Sequence, residues 1–248
     1  MIEITHAIAR KVLTVVDAGL VSGVGHPKLG KMCVEAAVCF ALGEPHGDEP
    51  SCVNPALRAF KVGLNDASWS SPTARANGLR RLALAQLGSA GNFDAVDFSK
   101  RLAMMTVNKT VPRVLRIAAA MKLTAQNPLF LAIMWEALEK AAVECEKAID
   151  LDAASHAASA ASYAASDAAS AARDAASVAS FAARAARYAA SDAARAARDA
   201  ASVASFAASA ASAASDKELS TIAEDVVQLL IAMDAPGCQW LDMAPLAA

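Results

Sequence analysis

Apolar residues recur at the spacing of an amphipathic α-helix near both ends of this chain. Near the N-terminus the repeating positions are Ile4, Ala7, Ile8, Val12, Val15, Val16 and Leu20. Towards the other end they are Leu219, Ile222, Val226, Leu229, Leu230 and Met233. This spacing predicts helices over 4–20 and 216–234. Alternating runs of β-branched or aromatic residues bounded by tight turns do not occur in the sequence, so we predict an all-α fold.

Proline marks the starts of further helices. It directly follows a polar residue at Asn54-Pro55, Ser71-Pro72 and Asn127-Pro128. Proline at the first helical position loses no hydrogen bond, so each pair predicts a helix N-terminus. We also predict helices over 31–42, 94–107 and 112–123, the last of them starting at Pro112. Ser215 and Glu218 form a capping box, which places the start of the final helix near residue 215.

Residues 153–215 are dominated by alanine and contain an internal repeat. The stretches 167–191 and 192–216 align at a period of 25 residues, with Val178 matching Val203 and Phe181 matching Phe206. About seven helical turns fit into this period, and projection at ~100° per residue collects the alanines on one broad face. Such a face allows another helix to approach closely. We therefore predict a long helix, either one rod or a hairpin, that associates with other copies of this chain.

These patterns divide the 248 residues into three parts. We predict a helical bundle domain over 1–150, an alanine-rich repeat helix over 151–215, and a C-terminal helix with its tail over 216–248. Although 56% of the residues are hydrophobic, aromatic residues make up only 5%. Alanine buries little area, so most of the core must come from the first and third parts.

Charge and cysteine content point to a cytoplasmic protein. The formal net charge is −2, and the five cysteines have no disulfide-framework spacing, which favours reduced thiols. Charged residues interrupt the apolar stretch at the N-terminus, which is unlike a signal peptide. A membrane span needs roughly 20 uncharged apolar residues, and we find no such window, so we expect no membrane partner.

Positive charge is concentrated in the middle of the chain. Between Arg58 and Lys122 there are eleven basic residues and only three acidic ones, a local net charge of 11 − 3 = +8. This asymmetry favours an anionic partner, either a nucleotide or a nucleic acid. The residues that we predict to bind it are Arg75, Arg80, Arg81, Lys109 and Arg113, with Trp69 stacking on a base. The alternative is that the basic residues pair with the acidic segments 35–49 and 136–152.

Two local motifs suggest other chemistry. Residues 25–31 fit the phosphate-loop spacing G-x-x-x-x-G-K, but Met32 occupies the magnesium-binding Ser/Thr position and no predicted strand precedes the loop. We interpret it as a glycine-rich turn. Cys33, Cys39, His46 and Cys52 do not have the spacing of a familiar zinc site, so we predict neither a metal nor a cofactor. An enzyme using the His26–Cys52 region, with His46 near Cys52 or His26 near Cys33, stays open as an alternative.

The stretch from Lys31 to Ser89, including KMCVEAAVCFALGEPHGDEP and ARANGLRRLALAQLGS, resembles uncharacterised proteins of bacteriophages and prophages that carry alanine-rich helical tails. The resemblance implies a phage-associated accessory protein acting on host machinery or host defence. The leading hypothesis is a non-enzymatic, oligomeric binding protein that holds an anionic ligand. The alternative to both this and the enzyme is a structural or inhibitory adaptor that binds a host protein.

Overall fold

A computed structural model describes residues 3–120, 128–150, 153, 156, 157 and 216–246. Its α-helices are α1 (His6–Asp17), α2 (Val34–Leu42), α3 (Pro55–Asp66), α4 (Pro72–Ala85), α5 (Ala95–Met105), α6 (Val111–Ala120), α7 (Pro128–Glu146) and α8 (Asp216–Ala232). A π-helical turn (Thr106–Thr110) joins α5 to α6, and a 3₁₀ helix (Pro236–Met243) follows α8. Within these ranges there is no sheet, only two isolated β-bridges to Met32. The predicted all-α class is confirmed, whereas the predictions for the alanine-rich repeat concern residues outside the described ranges.

Helices begin at Pro55, Pro72 and Pro128, as the sequence predicts. The Asn54 side chain accepts a hydrogen bond from the backbone N–H of Ala56 at 3.0 Å. Ser71 caps α4 in the same way, through the N–H of Ala74 at 3.0 Å. These side-chain oxygens satisfy backbone donors that have no partner within the first helical turn. Helix α7 begins at Pro128 and α8 at Asp216, while the predicted cap at Ser215 lies outside the described residues.

The prediction that Pro112 starts a new helix is wrong. Helices α5 and α6 are continuous through the π-helical turn, and Pro112 lies one residue inside α6. The N–H of Val111 reaches back five residues, to the carbonyl of Thr106. Proline removes one N–H and clashes with the carbonyl four residues earlier, and a π-turn widens the helix where that happens. The chain therefore continues instead of stopping.

The core joins both ends of the described chain. Buried residues of α1, α2, α3 and α4 pack in one cluster with Leu219, Ile222, Val226, Val227 and Leu230 of α8 and with Leu241 and Ala244 beyond it. Residues 1–150 and 216–248 therefore contribute to one core, in agreement with the expectation that most of the core comes from the first and third parts of the chain. Sequence periodicity shows which face of a helix is apolar but not which partner covers it. Within the described residues, no helix is long and apolar enough to cross a membrane.

Candidate functional site

Three of the six predicted binding residues contact α8, from two sides. On one side, Arg81 of α4 pairs with Glu224, with Nε 2.9 Å from the carboxylate. On the other side, Arg113 of α6 pairs with Asp225 at 2.7 Å and also with Glu218. Lys109 lies 3.9 Å from Asp225, and Arg80 lies beside Arg81 on α4. The set therefore does not converge on one point, because α8 lies between its two halves.

Arg75 and Trp69 lie in the core instead of on a binding surface. Arg75 is 8% exposed, and it donates hydrogen bonds to the backbone carbonyls of Asn65, Leu20 and Ala67 at 2.7, 3.1 and 3.4 Å. Its guanidinium thus joins the end of α3 to the segment after α1. Trp69 is 7% exposed, and its indole N–H donates to the carbonyl of Leu64 at 2.9 Å. A nucleic-acid base therefore cannot reach the indole ring of Trp69, and the structure does not offer the surface that the predicted stacking needs.

The Trp69 ring packs directly on Gly78 of α4, and this predicts an unusual mutational effect. A Cβ added at Gly78 would lie 2.3 Å from the indole ring. Replacing glycine by alanine inside a helix ordinarily stabilises it by about 1 kcal/mol. Here overpacking costs about 1–3 kcal/mol, so we expect Gly78→Ala to lower the free energy of unfolding measured by urea titration.

The neighbouring Asn77 provides the control for this prediction. It is exposed in the same helix, so Asn77→Ala gains helix propensity without meeting the indole ring, and we expect a slight stabilisation. Equal stabilisation by both variants would contradict the close contact between Gly78 and Trp69.

Arg80 and Arg81 hold the segment after α8 against α4. Arg80 donates to the carboxylate of Asp17 at 2.7 Å and 3.1 Å, and to the carbonyl of Met243 at 3.2 Å. Arg81 donates to the carbonyl of Ala244 at 2.6 Å in addition to its pair with Glu224. Hydrogen bonds to charged donors contribute about 1.5–3 kcal/mol each when they are desolvated. The two arginines therefore have a structural role that the sequence analysis did not predict.

Most of the positive segment is balanced within the chain. Eight of the ten basic residues that the structure describes in this segment form ion pairs, namely Arg58, Lys61, Arg80, Arg81, Arg101, Lys109, Arg113 and Arg116. The segments 35–49 and 136–152 supply some of the partners, as the alternative interpretation expected. Arg116 for example lies 2.9 Å from Glu139. Other partners come from Asp17, Asp97 and α8. The local charge of +8 thus overstates the positive field available to a ligand.

A groove remains between α4 and α8, and we call it the α4–α8 groove. Its volume is about 680 Å³, and its polar lining includes Asn77, Arg80, Arg81, Lys217, Thr221 and Glu224. Lys217 forms no ion pair with any residue that the structure describes, and it is exposed in the first turn of α8. Arg80 and Arg81 are balanced by Asp17 and Glu224, so Lys217 supplies the uncompensated charge of the groove. This lysine was not among the predicted binding residues.

The most unusual polar contact is an ion pair in the core between α2 and α3. Nζ of Lys61 lies 2.8 Å from Oε1 of Glu35, and both side chains are 0% exposed. Neither carboxylate oxygen accepts a well-aligned hydrogen bond. Burial raises the pKa of Glu35 and lowers the pKa of Lys61, and the attraction between them opposes both shifts. Such a pair costs desolvation energy that a well-packed apolar pair would not.

This pair was not predicted, although the sequence contains a signal for it. Lys61 occurs on the apolar face of α3, which also carries Leu57, Phe60 and Leu64. Glu35 is the only charged residue of α2. A single charge on an apolar helical face indicates either a buried partner or a functional site. The pairing itself depends on how α2 and α3 pack, which the local pattern does not contain.

The His26–Cys52 region does not assemble a nucleophile in the described structure. Burial raises the pKa of the Cys33 and Cys52 thiols, and it raises the pKa of Cys39 to about 12. These thiols are protonated at neutral pH, which argues against their use as nucleophiles. His46 contacts the backbone carbonyl of Gly25 at 3.2 Å and no thiol. Among the described residues, no three His, Cys, Asp or Glu side chains form a group that could hold a metal ion.

The phosphate-loop spacing over 25–31 is explained by backbone geometry. Gly25 and Gly30 both have φ of 72°, in the left-handed region that favours glycine. A Cβ at Gly25 would lie 2.0 Å from the carbonyl oxygen of Lys31. The loop thus folds tightly on itself before α2, in agreement with its interpretation as a glycine-rich turn.

Comparison of the chain with protein-family models, with curated proteins and with solved structures found no match.

Proposed function

We propose that this protein is a non-enzymatic binding protein that holds a phosphate-bearing ligand in the α4–α8 groove. The observation that carries the proposal is the uncompensated charge of Lys217 beside Arg80, Arg81 and Asn77 in a groove of about 680 Å³. Ligand sites of small molecules commonly have volumes of 300–1,000 Å³ with a few polar groups that fix orientation. A mononucleotide has the size and the charge that suit this groove.

The ligand is recognised through its phosphate more than through its base. Lys217 provides N–H donors, and the Asn77 amide forms no hydrogen bond with other described residues. The indole of Trp69, in contrast, lies behind Gly78 in the core. Charge-assisted hydrogen bonds to phosphate are stronger than neutral ones, and arginine and lysine both supply them. A nucleic acid would use the same donors through its backbone phosphates.

Substitution of Lys217 tests this proposal. Removing one charge-assisted hydrogen bond costs about 1.5 kcal/mol, or roughly a tenfold loss of affinity. We therefore expect Lys217→Ala to weaken binding of adenosine monophosphate about tenfold in isothermal titration calorimetry, with an unchanged melting temperature. Inorganic phosphate should compete with the nucleotide, whereas adenosine, which lacks the phosphate, should not bind.

Lys100 on α5 is exposed and does not line the groove, so Lys100→Ala is the matched control and should bind like wild type. Equal affinity of the Lys217→Ala variant and wild type would contradict the proposal. The double substitution Arg80→Glu/Arg81→Glu is less informative, because it also breaks the pairs with Asp17 and Glu224 and should lower the stability of the fold.

The cellular setting and the assembly are part of the same proposal. The five cysteines are free thiols, which suits a reducing compartment such as the cytoplasm. Association of copies through residues 153–215, a phage origin and a host protein as a further partner rest on the alanine repeat and on the resemblance of residues 31–89. Because α8 completes the core, the assembly is tested by replacing 151–215 with a short linker and measuring mass by light scattering, not by truncation at residue 150.

A further inference from the structure

The α4–α8 groove contains hydrogen-bond acceptors beside its uncompensated cation. Lys217, Thr221 and Glu224 of α8 all line it. Residues spaced four and then three apart share one face of a helix, so these side chains form a row along the groove. Lys217 and Glu224 are separated by about 10.5 Å along the helix axis, at 1.5 Å per residue. The groove therefore offers a donor at one end of the row and a carboxylate at the other.

The two acceptors of this row can both be reached by a ligand. The hydroxyl of Thr221 donates to the carbonyl of Lys217 at 2.8 Å, so towards a ligand its oxygen only accepts. The side chain of Glu224 is 23% exposed. Its Oε1 accepts from Gln228 at 2.8 Å and from Arg81 at 3.5 Å, whereas among the described residues its Oε2 accepts only from Nε of Arg81, at 2.9 Å. A carboxylate has roughly four lone-pair sites on its two oxygens, so Oε2 retains an acceptor site for a ligand.

Arg81 makes this carboxylate compatible with an anionic ligand. Its guanidinium balances the charge of Glu224, so the carboxylate does not repel a phosphate that is bound at Lys217. The same guanidinium donates to both carboxylate oxygens, which fixes the orientation of the acceptor in the groove. A phosphate is rich in acceptors and poor in donors. The acceptor end of the groove therefore needs donors from another part of the ligand.

We infer that the α4–α8 groove selects ribonucleotides through the vicinal hydroxyls of their ribose, which donate to Glu224 and Thr221 while the phosphate binds Lys217. Acidic side chains are the usual partners of ribose hydroxyls in nucleotide sites. The lysine ammonium, on its flexible stem, covers the part of the separation that the ribose does not span. The base contributes little, because the ring of Trp69 is buried. The inference rests on the proposed function and adds the sugar as the group that decides specificity.

Isothermal titration calorimetry of the full chain with adenosine, uridine and 2′-deoxyadenosine monophosphates tests the inference. We expect the two ribonucleotides to bind equally, and the deoxynucleotide to bind about tenfold more weakly because it lacks one charge-assisted hydrogen bond. Equal binding of adenosine and deoxyadenosine monophosphates would overturn the inference and leave the phosphate proposal standing. A strong preference for adenosine over uridine monophosphate would also overturn it, since the base would then decide. Absence of binding by all three would overturn the proposed function as well.

Substitution of Glu224 assigns the preference to its carboxylate. A neutral acceptor forms a hydrogen bond about half as strong, so Glu224→Gln should reduce the preference for adenosine over deoxyadenosine monophosphate from about tenfold to about threefold. This ratio of two affinities does not change when a variant merely loses stability. Asp242→Asn, at an exposed carboxylate that does not line the groove, is the matched control and should keep the wild-type ratio. An unchanged ratio in Glu224→Gln would refute the role of Glu224; if that variant fails to fold, the wild-type comparison of the two nucleotides decides.

Discussion

Replacing Lys61 by methionine is expected to lower the free energy of unfolding by about 3–5 kcal/mol at pH 7, as measured by urea titration. Methionine has nearly the length of the lysine stem and fills the same space. It leaves Glu35 fully buried without its cation, and an uncompensated buried charge is costly. Whole domains are stable by only about 5–15 kcal/mol, so this one substitution should remove a large part of the total.

The loss caused by Lys61→Met should shrink as the pH is lowered. Burial already raises the pKa of Glu35 above its ordinary value of 4.5 in the presence of Lys61, and removing the cation raises that pKa further. A carboxyl whose pKa is raised by folding contributes stability at pH values below 4.5, and this contribution is lost as the pH rises through the folded-state pKa. Urea titrations between pH 7 and pH 4.5 should therefore bring the variant closer to wild type.

Replacing Glu35 instead of Lys61 should give a pH dependence of stability with the opposite sign. Glu35→Met leaves Lys61 alone, and burial lowers the pKa of its ammonium below the ordinary 10.5. A lowered lysine pKa contributes stability at high pH that is lost as the pH falls through the folded-state value. The double variant Glu35→Met/Lys61→Met should recover most of the loss, because an apolar pair needs no desolvation. Strictly additive losses, or a Lys61→Met variant as stable as wild type, would show that the two side chains do not interact.

Gly237→Ala should destabilise the protein by about 3 kcal/mol, at the upper end of the usual cost of overpacking. Gly237 lies in the 3₁₀ helix after α8 and is buried. A Cβ at this position would lie 2.3 Å from the carbonyl oxygen of Leu84 and 2.7 Å from the backbone N of Leu87. These are backbone atoms at the end of α4, so they cannot rotate away as a side chain can. The 3₁₀ helix must therefore move off α4, and differential scanning calorimetry should record a lower melting temperature.

Gly43→Ala separates crowding from backbone strain. Gly43 has φ of 77°, but nothing lies within 4 Å of an added Cβ. The variant should therefore lose only the free energy that the left-handed backbone costs alanine, about 1–2 kcal/mol. Gly237 has no such φ, and its cost arises from contact with α4 alone. If Gly237→Ala proves neutral, the segment after α8 is not packed on α4 as described.

The sequence predicted helices well and their packing poorly, for a physical reason. The caps at Asn54 and Ser71 depend on groups within three residues, so local pattern is sufficient. The predicted helix start at Pro112 was wrong because the π-helical turn before it accommodates the proline within a continuous helix. That α8 packs on α4 could not be predicted from the sequence, because the apolar face of α8 has the same appearance whether it covers its own chain or another.

The candidate sites illustrate the same limit. The charge count identified Arg80 and Arg81, which do line the α4–α8 groove, yet it could not reveal that Asp17 and Glu224 neutralise them. Arg75 looked like a surface cation and is instead a buried donor to three carbonyls. Lys217 and the Glu35–Lys61 pair emerged only from the geometry, since their importance depends on which neighbours are present or absent.

The union of α4 with α8 also has a consequence during synthesis. Arg81 meets Glu224 across 143 positions of the chain, so the face of α4 that packs on α8 has no cover until the ribosome has produced α8 and the residues after it. At about 5–20 residues per second, that delay is on the order of 10–30 s. Throughout it the nascent chain presents Leu82, which lies beside α8 and is fully buried in the finished protein, to water and to chaperones.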